Sequence, residues 1–142
     1  MLRNTIISTA LLFLSFHSES FELPVDNDGG VINSCNNYTN KAAAELIKKH
    51  NVKFNPVHEN VINGEIIKVQ DWDEITFYTN LSTACSLGAN YATHKRSESD
   101  SIQWTLQTKI YSDMYDSSYG KIPGEYILNA IKEAVIFGRG LH

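Results

Sequence analysis

Long apolar runs, an excess of basic charge, and cysteine are all scarce in this chain of 142 residues. The longest apolar stretch, Ile6 to Phe16, is too short to cross a hydrocarbon core of roughly 30 Å, and no later one is longer, which excludes a membrane anchor. Twelve Lys and Arg against sixteen Asp and Glu leave a net charge of −4. Nucleic acid and anionic membranes need a basic face, so both are excluded as partners. The one local basic pair, Lys95-Arg96, is followed at once by Glu98 and Asp100. Two cysteines allow a single intramolecular pairing, and no repeat or low-complexity tract is visible.

The first 20 residues read as a removable leader. Arg3 supplies a basic start, an apolar stretch follows, and Ser18-Glu19-Ser20 offers small residues where a signal peptidase cuts. Export to an oxidising compartment predicts that Cys35 and Cys85 form a disulfide. Closing a loop of about 50 residues would contribute on the order of 4 kcal/mol through the unfolded state. Asn37-Tyr38-Thr39 and Asn80-Leu81-Ser82 fit the N-glycosylation acceptor pattern, so Asn37 and Asn80 are expected glycan sites on a secreted, extracellular protein.

Residues 21–34, with Pro24 and Gly29-Gly30, read as a flexible arm preceding one domain at 35–142. Lys41 to His50 places Ala43, Leu46, Ile47 and His50 on one helical stripe, capped by Thr39 or Asn40 and ended by Asn51. His50, at the end of that stripe, reads as a packed residue. Val61 to Val69 and Glu74 to Leu87 alternate with period two and read as strands joined by a hairpin tip at Gln70 to Asp73. On the second strand Asn80 falls opposite Ile75, Phe77, Leu81 and Cys85. Gly88 to Ser101 reads as a polar loop, and Ile102 to Tyr111 as another strand. After a turn at Asp116 to Gly120, Pro123 opens a C-terminal helix over 124–137 with a stripe of Ile127, Leu128, Ile131, Ala134 and Val135. The expected class is α+β: a helix packed on an antiparallel sheet, plus that C-terminal amphipathic helix docked on the open face of the sheet.

No constellation for catalysis, metal or cofactor assembles. His58-Glu59 lacks a histidine at helical spacing, Gly29-Gly30 lacks the strand and helix of a phosphate loop, and Asp71, Asp73 and Glu74 read as a solvated turn. The chain is therefore expected to act by binding, not as an enzyme.

The arm with Gly29-Gly30, the helix AAAELIKKHN and the pair FNPVHENVINGEIIKV and EITFYTNLSTAC together resemble the cystatin superfamily, over roughly Gly29 to Tyr111. The tail, Tyr115-Asp116 through Tyr119-Gly120-Lys121-Ile122-Pro123 into YILNAIKEAVIFG, is similar to the segment joining the two halves of latexins, which inhibit metallocarboxypeptidases. The resemblance implies protease inhibition, with a metallocarboxypeptidase slightly ahead of a papain-like cysteine protease, because Glu65 to Val69 stands where papain inhibitors carry Gln-x-Val-x-Gly. It also implies Gly29 and Gly30 as partner-binding residues. Asp71, Trp72 and Asp73 join them, since a turn tryptophan between two carboxylates is costly to bury; the alternative is that Trp72 folds back onto the sheet as core. The alternative is a secreted interaction or carrier module without inhibitory activity. A monomer or weak dimer is expected.

Overall fold

The computed structural model describes residues 30–141. The expected leader, most of the expected arm, and Gly29 lie outside them. The described chain is α+β, with five helices and one two-stranded antiparallel sheet: α1 (Gly30–Lys49), β1 (His58–Ile62), β2 (Glu65–Val69), α2 (Trp72–Thr93), α3 (Glu98–Leu106), α4 (Ile110–Ser117) and α5 (Gly124–Arg139).

Local signals explain each element. Lys48 and Lys49 favour the negative end of the α1 dipole. Asn51 then adopts φ 57° while the Val52 amide reaches back to the Ile47 carbonyl at 3.0 Å, a left-handed stop of the kind asparagine tolerates. Asp71 caps α2, accepting from the Asp73 amide at 3.1 Å. Ser97 caps α3, accepting from the Asp100 amide at 3.0 Å.

Several expected elements are corrected. Gly30 to Ser34 belong to α1 and are not an arm, so Thr39 and Asn40 sit within the helix instead of capping it. Glu74 to Leu87 is helix α2, not a strand. Its buried residues Tyr78, Leu81, Ser82, Cys85, Gly88, Ala89 and Ala92 recur at three and four, which is the period of a helical face. The expected polar loop at 88–101 is mostly the end of α2 and the start of α3, and Ile102 to Tyr111 spans the end of α3 and the start of α4. Gln70 to Asp73 is the entry to α2, not a hairpin tip. The hairpin turns at Asn63-Gly64, where φ is 52° and 82°.

The core lies between helices. Phe77, Leu81 and Cys85 of α2 meet Ile127, Ile131, Ala134 and Val135 of α5 in one buried cluster with Cys35, Met114 and Ile122. So the C-terminal helix does dock on its own chain, but on α2 and not on a sheet. The two axes approach closely because glycine stands at both crossing points. A Cβ at Gly88 would collide with the Val135 carbonyl, and one at Gly138 with the Cys85 carbonyl. Cys35 and Cys85 form the expected disulfide, with Cα atoms 5.7 Å apart and both residues fully buried. It ties α1 to α2 beside a hydrogen bond of 3.1 Å from Ser82 Oγ to Asn36 Oδ1. The order of these pairs makes the two helices antiparallel.

Candidate interaction site: an exposed hairpin and its base

Between α1 and α2 the chain leaves the helical body as the β1–β2 hairpin. Every residue of β1 and β2 is exposed except the half-buried Val69. The positive φ at both Asn63 and Gly64 makes the two-residue turn type I′, whose twist matches that of paired strands. It fixes the register His58↔Val69, Glu59↔Lys68, Asn60↔Ile67, Val61↔Ile66 and Ile62↔Glu65.

That register sorts the side chains, because cross-strand partners share a face. One face carries Val61 and Ile66, exposed by 72% and 67%, beside the opposite charges of Glu59 and Lys68. The other carries Ile62 and Ile67, exposed by 48% and 39%. Pairs flanking a two-residue turn exchange their backbone bonds and the next pairs do not. The amides and carbonyls of Glu59 and Val61 on one edge, and of Ile66 and Lys68 on the other, therefore point away from the hairpin. Two wet apolar faces and two unpaired edges are features that a partner chain can cover and pair.

Asp71 anchors the base. Its Oδ2 accepts from the Asn55 amide at 2.9 Å, on the chain entering the hairpin, and from the Tyr119 hydroxyl at 3.1 Å, while Oδ1 caps α2. Tyr119 holds φ 59° and its ring tilts against Phe54 at 5.9 Å. Burial, then the Asp71 and Asp73 carboxylates, push the Tyr119 hydroxyl well above the usual tyrosine range. Trp72 follows the cap and is 66% exposed, as expected for that residue, although it begins a helix instead of crowning a turn.

Beside the base, Ile47, Lys48, Asn51, Val52, Lys53, Glu74 and Tyr78 line a shallow cavity of about 270 Å³. Burial raises the Glu74 carboxyl above its ordinary range; the Asp71 charge adds to the shift and a hydrogen bond from Gln70 opposes it. Burial, then the Glu74 charge, push Tyr78 up to about 12.

The expected site residues are not all brought together. Gly30 starts α1, at the far end of the antiparallel α1–α2 pair from Asp71, Trp72 and Asp73. A helix rise of 1.5 Å per residue puts on the order of 25 Å between them. Asn37 is exposed on α1. Asn80 is half-buried in a helix and not on a solvated strand face, with Nδ2 donating to the Thr76 carbonyl at 2.9 Å. The His50 ring packs 4.9 Å from that of Tyr126. Among the described residues no group of three or more His, Cys, Asp or Glu could hold a metal ion, and no helix is long and apolar enough to cross a membrane. The hairpin faces were missed because Val61 to Val69 was read as one strand; the Asn63-Gly64 dipeptide was the signal that divides it.

No family model, no curated protein and no solved structure matches this chain, so nothing identifies a relationship to the cystatin superfamily or to latexins.

Proposed function

We propose that this is a secreted, non-catalytic binding protein that engages a protein partner through the β1–β2 hairpin. One observation carries the reading: Val61, Ile62, Ile66 and Ile67 are exposed on both faces of a hairpin that adds nothing to the helical core. A two-stranded hairpin of this length is marginal in water by itself. A partner that covers a face and pairs an edge supplies the missing contacts, with backbone bonds giving affinity and alternate side chains giving specificity. The Asp71 anchor ties the chain entering the hairpin to the start of α2, which lowers the ordering cost of binding.

Protease inhibition is the specific form we propose, with a metallocarboxypeptidase first and a papain-like cysteine protease second on the likeness of the tail. EITFYTNLSTAC, which enters the cystatin likeness as a strand, is part of helix α2 and lends that likeness no support. The test is an inhibition panel covering both protease classes, run with the secreted protein and with a Val61→Lys, Ile66→Lys variant. The reading expects inhibition of one class and at least a tenfold loss in the variant. If neither class is inhibited, the inhibitor form fails. The broader binding reading is then decided by a photo-crosslinker placed at Ile66 in one preparation and at Glu125 in another. A defined protein captured only from Ile66 supports it, and equal or no capture ends it.

A further inference from the structure

We propose that Asn37 is an N-glycan acceptor in this protein and that Asn80, the other asparagine in a sequon, is not. Both segments satisfy the same three-residue pattern, but the folded chain treats their side-chain amides differently. Asn37 lies on the exposed side of α1. The residues around it turn inward: Asn36, just before the pattern, accepts from Ser82, Tyr38 stacks on Phe137, and Thr39 is buried to within 1% of its surface. The helix thus delivers one side chain of this stretch to solvent, and it is the acceptor.

At Asn80 the nitrogen that would carry the sugar is held on the helix backbone by its bond to Thr76. The residue is itself half-buried, whereas Asn37 is exposed. A sugar on that nitrogen would need the bond to Thr76 broken and a half-buried amide drawn out to solvent, which costs free energy. The chemistry asked of either asparagine is the same. Nδ2 displaces the pyrophosphate of a lipid-linked oligosaccharide at C1 of its first sugar; the N–C1 bond forms, the C1–O bond breaks, one amide proton is lost and the lipid pyrophosphate departs. Asn37 stands twelve residues before the end of α1, about 18 Å along the helix axis from the point where the chain leaves for the hairpin. A glycan there leaves the hairpin free, and the inference does not rest on the hairpin's role.

The full chain is expressed in cells with a secretory pathway, in parallel with a form whose residues 1–20 are replaced by a proven leader. Medium and cell pools are combined, glycans are removed enzymatically in heavy-oxygen water, and the marked acceptors are mapped by mass spectrometry. The expected result is marking at Asn37 and none at Asn80, with the mobility shift lost in Asn37→Gln and kept in Asn80→Gln. Marking at Asn80, or none at Asn37 in the leader-replaced form, overturns the inference. Should Asn37→Gln fail to fold, the map of the unsubstituted chain still decides. Marking at Asn37 only when the leader is replaced upholds the acceptor and counts against secretion by the native leader.

Discussion

Replacing Asp71 by alanine removes three hydrogen bonds at once. The α2 cap is worth about 1 kcal/mol, and the bonds from the Asn55 amide and the Tyr119 hydroxyl add roughly 0.5–1 kcal/mol each at such accessible positions. The sum, about 2–3 kcal/mol, is a large part of a typical domain's stability and corresponds to a fall in Tm on the order of 10 °C. Asp71→Asn keeps a good capping oxygen, so it is expected to lose less than half as much. Tyr119→Phe removes one bond only and should cost about 0.5–1 kcal/mol. Denaturant unfolding followed by far-UV circular dichroism, read for all three variants at constant slope, provides the comparison. A loss below about 0.5 kcal/mol for Asp71→Ala, or an equal loss for Asp71→Asn, would refute the anchoring argument, since surface changes away from such features fall in that range.

Two other expectations follow from the packing and the charges. Gly138→Ala gains helix propensity of about 1 kcal/mol but drives a methyl group into the Cys85 carbonyl, so net destabilisation of at least about 1–2 kcal/mol is expected by thermal melting; a more stable variant would mean that α2 and α5 separate easily. The Glu74 carboxyl is raised above its unfolded value, so ionising it disfavours the folded state, and the penalty appears as pH rises through the carboxylate range. Glu74→Gln should therefore stabilise at neutral pH, with the gain vanishing below the unfolded carboxylate pKa; a gain that persists in acid would point to packing instead of charge.

The parts of the fold that were legible in the sequence are those with one dominant signal. Two cysteines left a single pairing. The α5 stripe at 127, 128, 131, 134 and 135 has no competing period, and Leu128, the one member left substantially exposed, lies at its edge. Asn51 marked the end of α1 because few residues accept its conformation. The α2 segment misled because Ile75, Thr76, Phe77, Tyr78 and Thr79 are β-branched or aromatic, and Ile75 with Phe77 mimics alternation. The Asp71 cap and a long partner helix outweigh those preferences, which are small per residue. Ser97, read as part of a loop, was the equivalent missed cap for α3. At the base of the hairpin, the exposure of Trp72 was legible from the cost of burial alone, whereas Asp71 and Asp73 are half-buried. Asn55 and Tyr119, which meet Asp71 from 16 and 48 positions away, left no local trace.

The central claim is that the hairpin serves binding and contributes little to folding. It is tested most directly by measuring unfolding free energy and partner affinity on the same Val61→Lys, Ile66→Lys preparation. The account predicts stability within about 0.5 kcal/mol of the parent, as for exposed positions, together with at least a tenfold loss of affinity. Stability lost with affinity unchanged would contradict it, because the two side chains would then belong to the protein's own core.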